Sequence, residues 1–330
     1  MSPRAAPHRP FAFMTAASAE LVADSRAVLS KHARSFRLAS YFLPARCADE
    51  AAITYAFCRL ADDLADEAPS HAQAVHDLGA LAAEIRGQSS PRPIVAAYSG
   101  VATRRSIPEA AATELLLGLE SDLGAVRIAD DEGFVRYCYR VAGTVGLMMS
   151  GVLGVEDPHA RAPAVDLGVA MQITNICRDV LEDAGRDRVY IPESRLRAVG
   201  LSHADLLDPD FVHNAEGRKR LSGVIEDLLE MAEAAYTRGW RGMHFIPARP
   251  RTAILVASVL YRDIGRRLRF VHSSDPLHGR TMVPFLGRVR GLLHGVFLAL
   301  HPVSWGWMQR QSEPTSPLSA HMRGLGGAPA

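Results

Sequence analysis

The chain has 330 residues, of which 48% are hydrophobic, and 37 lysines and arginines stand against 36 aspartates and glutamates for a net charge of +1. That composition supplies a sizeable core, and the near-neutral balance argues against nucleic acid as the main partner, because such proteins carry a basic excess. Cys47, Cys58, Cys138 and Cys177 stand singly in apolar runs, with no CxxC or Cys/His spacing. They read as reduced core thiols in a cytoplasmic protein, not as a disulfide framework or a zinc site.

Residues 1–16 contain Arg4, His8 and Arg9 but no sustained apolar stretch, so neither a signal peptide nor ordered structure is expected there. Helical periodicity then takes over, and alternating strand patterns are nearly absent. The spacing predicts helices over 19–32 and 48–66. The second of these ends in Arg59-Leu-Ala-Asp62-Asp63-Leu-Ala-Asp66-Glu67. Asp62 and Asp66 share a face, with Arg59 one turn earlier, while Asp63 and Glu67 point about 100° away.

Further helices are predicted over 72–86, 93–104, 108–123 and 131–153, separated by Pro69, Pro91, Pro108 and Pro158. The next, 162–182, carries Gln172-Ile-Thr-Asn175-Ile-Cys-Arg178-Asp179-Val-Leu-Glu182-Asp183. Gln172, Asn175, Asp179 and Asp183 make one polar stripe in a run that would otherwise be core. The last predicted helices are 217–240, 252–270 and 283–300. Residues 291–308 are uncharged and about the minimum length of a membrane span, but two histidines and Pro302 interrupt them. A core helix or a face resting on a membrane is the expectation there. Residues 310–330 are rich in Pro, Ser and Gly and read as a disordered tail. Between the ends no composition shift marks a boundary, so 17–309 reads as one all-α domain.

Like charges at i,i+4 destabilise an isolated helix by roughly 0.2–0.5 kcal/mol. Both aspartate pairs also sit among large apolar residues: Tyr55, Phe57 and Leu60 in one helix, Met171, Ile173 and Ile176 in the other. Two solvated helix faces are therefore the weaker reading. Two facing rows of carboxylates would make a cage for divalent cations, and Mg²⁺ typically joins such carboxylates to substrate phosphates. The residues point to a helical enzyme acting on a diphosphate.

The order of motifs resembles the phytoene/squalene synthase family of head-to-head prenyl transferases, the bacterial phytoene synthases most. The likeness runs from Ser35-Phe36 and Phe42-Leu43-Pro44 through Tyr55-Ala-Phe-Cys-Arg59 and the two aspartate runs. It also includes Tyr137-Cys-Tyr-Arg-Val-Ala-Gly143-Thr-Val-Gly146, Arg188-Val-Tyr190-Ile-Pro192 and Tyr261-Arg262. The resemblance implies a single-domain isoprenoid synthase helical bundle with a central cavity. It implies that Asp62, Asp66, Asn175, Asp179 and Asp183 hold Mg²⁺, with Mn²⁺ as a substitute, against the diphosphates of two prenyl substrates. Arg59 and Arg178 match basic residues near those diphosphates. Ser35, Phe36, Tyr137 and Gln172 match groups near the same site, and Arg188 and Tyr190 a flap that closes its mouth. Asp187 departs from the pattern, since a glycine often precedes that arginine.

The implied reaction joins two geranylgeranyl diphosphates through a cyclopropylcarbinyl diphosphate to phytoene, in carotenoid biosynthesis, and does not call for NADPH. The alternatives are squalene, presqualene diphosphate or dehydrosqualene synthesis from two farnesyl diphosphates. A non-catalytic assembly protein of the same fold is a further alternative, although such a protein is expected to lose its aspartates. A terpene cyclase fits the Tyr137–Gly146 and Arg188–Pro192 landmarks poorly. Ser40, one turn after Phe36, is small enough to leave room for a C20 donor. Gly143 and Gly146 read as close helix packing, and Tyr261-Arg262 as seating for the last core helices. The expected location is cytoplasmic, peripheral to the inner membrane. Transient membrane contact is expected, with 283–307 and its Arg288, Arg290, Trp305 and Trp307 as the candidate surface; ordinary core packing is the preferred reading of that region.

Overall fold

The structure is a computed structural model that describes residues 16–32, 34–301 and 316–329. Fifteen α-helices are found among them. The first six are α1 (Ala16–His32), α2 (Arg34–Ser40), α3 (Ala45–Asp66), α4 (His71–Ile85), α5 (Pro93–Arg104) and α6 (Glu109–Glu120). Next come α7 (Asp131–Cys138), α8 (Thr144–Val152), α9 (Arg161–Arg178), α10 (Val180–Ala184), α11 (Glu193–Ala198) and α12 (His203–Leu207). The last three are α13 (Ala215–Arg241), α14 (Ala248–Val271) and α15 (Phe285–Leu300). Two-residue strands, β1 (Val126–Arg127) and β2 (Arg188–Val189), pair in parallel with Val126 opposite Arg188.

Local signals set the starts of several helices. The Ser70 side chain accepts from Gln73 N at 3.2 Å, Asp130 from Gly133 N at 2.9 Å and Asn214 from Gly217 N at 2.8 Å. Each satisfies an amide that the first turn leaves without a helical partner. Helix α9 is the axis of the bundle and packs against α8, α13 and α14. Glycine makes that close approach possible. A Cβ on Gly146 would lie 2.3 Å from the Ala164 carbonyl oxygen, and one on Gly168 2.3 Å from that of Ala142. The largest buried cluster runs from Cys47 to Leu325 and includes Phe57, Ile173, Leu228 and Tyr236.

Three expectations are corrected. The helix predicted over 131–153 is split by a π-helical turn, Tyr139–Gly143, which begins two residues after Tyr137. The helix predicted over 162–182 breaks at Asp179, whose φ of −104° and ψ of 17° leave the helical region. Asp183 N still bonds to Asp179 O at 2.9 Å, so the last turn tilts without coming away. The tail is the third. Residues 316–329 lie along the bundle with Leu318, Met322 and Leu325 buried, because these apolar side chains recur at helix-like spacing despite the flanking glycines. Arg262 seats the last helices as expected, ion-paired with Glu233 and with its guanidinium carbon 4.4 Å from the centroid of the Trp240 ring.

Candidate active site

Helix α3 brings Asp62 and Asp66 to its C-terminal end, and α9 with α10 carries Asn175, Asp179 and Asp183. Arg188 of β2 connects the two rows. Its Nη2 stands 2.9 Å from Asp66 Oδ1, and its charge also acts on Asp183. Arg186 reaches Asp66 as well, at 3.4 Å. On the second row Arg178 pairs with Asp179 through both nitrogens, while Arg280 lies 3.3 Å from Asp179 and 3.0 Å from Glu182. Asn175 Nδ2 donates to Gln172 Oε1 at 3.4 Å, which keeps that polar stripe continuous. Arg59 ion-pairs with Asp63, off the Asp62–Asp66 face, and lies near enough to Asp62 to favour its charged form.

Asp62 and Asp183 are the carboxylates that this arrangement leaves without a donor among the described side chains. Burial pushes Asp62 up to about 7 against the pull of Arg59, and the nearby charges of Asp66, Asp63 and Asp122 add to the rise. Burial likewise lifts Asp183 to about 7, aided by Asp179, Glu182 and Asp122 and opposed by Arg188. Like charges and low dielectric both penalise the ionised form.

Asp122 lies between the two rows, and the sequence reading missed it. It follows α6 in a Leu-Glu-Ser-Asp-Leu-Gly stretch that looks like an ordinary helix-ending turn, with no local sign of burial. In the fold it is buried and accepts from Tyr137 OH at 2.8 Å and Tyr190 OH at 2.9 Å. The two phenol rings stack with centroids 4.6 Å apart. Burial pushes Asp122 up to about 6, against the two tyrosine hydrogen bonds and Arg188. The β1–β2 pairing sets this geometry, because it draws the Arg188–Tyr190 segment alongside the residues that follow Asp122. Asp187, at the departure from the family pattern, has φ of 60°. A glycine is suited to that conformation and an aspartate tolerates it. Asp187 also pairs with Arg127 across the strands.

Of the remaining expected site residues, Ser35 and Phe36 have side chains outside the described residues. Tyr261, which the sequence reading assigned to packing alone, lies within electrostatic reach of Arg178 and Asp179. A crevice of about 10 Å³ opens beside Asp183, Arg188 and Tyr190. A larger cavity of about 480 Å³ has none of the motif aspartates in its lining.

The donors at the aspartate rows are hard oxygens, two of them raised by burial and mutual charge, and this chemistry fits Mg²⁺. Among the described residues no three of these side chains gather closely enough to hold a cation as they stand. Asp66 and Asp179 are engaged by arginines instead, and those arginines are suited to bidentate contact with phosphate oxygens.

Known proteins share the sequence and the fold of this chain. The squalene/phytoene synthase family matches residues 29–285. A phytoene synthase of Thermus thermophilus is 38% identical over 245 residues, 73% of this chain and 81% of its own. A 15-cis-phytoene synthase of Enterobacter agglomerans is 36% identical over 246 residues, 71% of this chain and 81% of its own. Among solved structures, a dehydrosqualene synthase in complex with ligand superposes with a TM-score of 0.74 at 28% identity, covering 84% of this chain and 96% of that one. An all-α helical bundle, matched by the family over residues 29–285 and 36–38% identical to these two relatives over most of their length, places the chain in the squalene/phytoene synthase family.

Proposed function

We propose that the chain is a Mg²⁺-dependent phytoene synthase, joining two geranylgeranyl diphosphates head to head. The observation that carries this reading is the convergence of Asp66 and Asp183 on Arg188, with Asp62 close to Asp122 of the buried Asp122–Tyr137–Tyr190 cluster. The relatives named as phytoene synthases supply the product. Asp62, Asp66, Asn175, Asp179 and Asp183 would hold the cations. Bound Mg²⁺ supplies positive charge to the departing diphosphate.

The chain's own residues do the rest. Arg188, Arg186, Arg178 and Arg280 exchange their carboxylate partners for diphosphate oxygens, which frees Asp66 and Asp179 for the cations. Arg59 adds charge beside the same oxygens. The paired phenols of Tyr137 and Tyr190, oriented by Asp122, present aromatic faces and fixed dipoles toward the ionised substrate. The apolar walls of α3, α8 and α9 exclude water that would capture the allylic cation. The double bond of the second donor attacks the cation, and loss of one proton from the carbon so joined closes the ring of the cyclopropylcarbinyl diphosphate. A second ionisation, rearrangement and proton loss follow.

A product assay with purified protein tests the reading. A C40 hydrocarbon formed from geranylgeranyl diphosphate and Mg²⁺ without NADPH supports it. Products from farnesyl diphosphate alone would move the chain to the squalene or dehydrosqualene branch, with NADPH dependence separating those two. The absence of diphosphate release from either substrate would leave the non-catalytic alternative. Ser40→Phe is expected to shift donor preference toward the shorter substrate.

A further inference from the structure

Helix α15 is turned the opposite way from a helix that fills a core. Its small residues face the protein. A Cβ on Gly291 would lie 2.9 Å from Leu260 of α14, one on Gly295 2.7 Å from the Val256 backbone, and Ala299 is buried one turn further on. Its large apolar residues face outward: Leu286 is 78% exposed, Leu293 64%, Phe297 55% and Leu300 73%. Their steps of seven, four and three keep them on one stripe. Core packing would place the large side chains inward and the small ones outward, so that reading of 283–307 fails for this face of α15; Trp305 and Trp307 lie outside the described residues.

A charged feature adjoins the stripe. The contacts of Gly291 and Gly295 run α15 antiparallel to α14, which puts the start of α15 beside the end of α14. There Phe270 and Val271 are exposed, as are Met282 and Phe285 before Leu286. The cavity of about 480 Å³ opens at the same end, lined by Phe270, Val271 and five arginines, Arg290 of α15 among them; Arg262 and Arg266 pair with Glu233, Arg269 with Glu226 and Glu230, and Arg290 lies 3.7 Å from Asp263. Arg290 flanks the apolar stripe with 79% of its side chain exposed. Helix α15 itself carries no acidic residue.

We infer that α15 and this arginine-lined cleft form a docking surface for an anionic phospholipid bilayer. The stripe enters the acyl boundary while the guanidiniums meet lipid phosphates. Among the described residues no helix is long and apolar enough to cross a membrane, so the stripe lies on the bilayer. A second copy of the chain is the poorer occupant. An isologous contact sets the same patch against itself, and here it would bring two arginine-rich edges together. The inference rests on the geometry of α14 and α15 and does not depend on the proposed reaction, although an apolar product gives such a surface an obvious use.

Vesicle flotation with the full chain tests it. The wild-type protein is expected to float with phosphatidylcholine vesicles containing phosphatidylglycerol. It should bind pure phosphatidylcholine at least roughly tenfold less, and added salt should release it. Leu293→Glu with Phe297→Glu is expected to lower partitioning roughly tenfold or more on both vesicle types. Arg266→Gln with Arg290→Gln should remove mainly the phosphatidylglycerol preference. These side chains are exposed, so the far-UV circular dichroism and melting of the variants should match wild type, as should turnover of detergent-dispersed substrate. The inference is overturned if wild type ignores anionic vesicles or if both variants float like wild type. It is equally overturned if sedimentation shows a dimer that the Leu293/Phe297 variant dissolves. A chain that makes no product but still floats would fail the proposed reaction and leave this surface standing.

Discussion

Arg188 stands 2.9 Å from Asp66 across the two aspartate rows, held in place by a parallel strand pair only two residues long on each side. The pair is partly solvent-facing, so as an ion pair it contributes little to stability, about 0–1 kcal/mol. Its consequence is functional. Arg188→Gln is expected to leave the melting temperature within a few degrees of wild type, raise KM for the diphosphate substrate, and lower kcat/KM by at least about tenfold. Steady-state kinetics beside a thermal melt separates these effects. Wild-type KM would show that Arg188 serves only to neutralise Asp66.

Asp122 sets stability against function. Its folded-state pKa, about 6, is raised above its ordinary 3.8 by burial. The folded protein therefore binds the proton more tightly than the unfolded chain. This contribution is fully present below about pH 4, falls as the pH rises toward 6, and is gone above it. The size is roughly 3 kcal/mol. Asparagine does not titrate and still offers an oxygen to Tyr137 and Tyr190. Asp122→Asn in metal-free protein should therefore match or exceed wild-type stability at pH 7 and lose that advantage near pH 4, while activity falls. Melts across pH 4–7 check the first statement. A pH-independent difference between the two proteins would remove this account of Asp122.

The cation requirement should follow the aspartates individually. Asp183→Asn keeps the shape of a half-buried side chain but removes a charge that Asp179, Glu182 and Asp122 oppose. The expected result is a higher Mg²⁺ concentration for half-maximal activity and no loss of folding. Chelation by EDTA should stop wild-type turnover, and added Mg²⁺ should restore it. An unchanged Mg²⁺ response in Asp183→Asn would take that residue out of the proposed ligand set.

Helix α9 lies close to its neighbours because glycines face carbonyl oxygens. Gly146→Ala would force a methyl to 2.3 Å from the Ala164 oxygen, and rigid helix backbone forms both sides of that contact. The expected cost is about 1–3 kcal/mol in chemical denaturation. The control, Gly223→Ala, has nothing within 4 Å and should be neutral or slightly stabilising, since alanine is the better helix former.

The aspartate pairs were legible because helical period is local: a spacing of four fixes a shared face wherever the helix goes. Gly146 was legible for a related reason, since a glycine in an apolar helical run implies a close neighbour. Arg188 was named only through the family resemblance and Asp122 not at all, because their meeting depends on register between distant segments, which no local spacing encodes. Val126 must pair with Arg188 before Tyr190 can reach Asp122. The break at Asp179 was likewise hidden, because its sequence continues the helical pattern on both sides and only the backbone angles depart from it. The face of α15 was misjudged for the opposite reason. Its periodicity was clear, but periodicity does not say which side meets the protein, and the glycines decided that.

The segment 316–329 gives the last prediction. Its composition suggests a loose end, yet it is tied to the bundle at both of its own ends. Ser316 Oγ donates to buried Asp166 at 2.6 Å, which Arg238 also holds, and Tyr139 OH donates to Gly326 O at 2.6 Å. Gly326 N in turn donates to Glu114 at 2.8 Å. Between these ties Leu318, Met322 and Leu325 are buried. Burying each such side chain is worth about 1.5–3 kcal/mol before the entropy of ordering the segment is subtracted. Removing residues 316–330 should therefore destabilise the protein by roughly 3 kcal/mol or more and expose Tyr139, one residue beyond the Cys138 neighbour of Tyr137. The π-helical turn that begins at Tyr139 would then lose an anchor, so kcat is expected to fall with stability. Ser316→Ala isolates one tie and should cost only about 1 kcal/mol. Equal melting temperatures for the truncated and full chains would mean that the segment rests on the bundle without holding it.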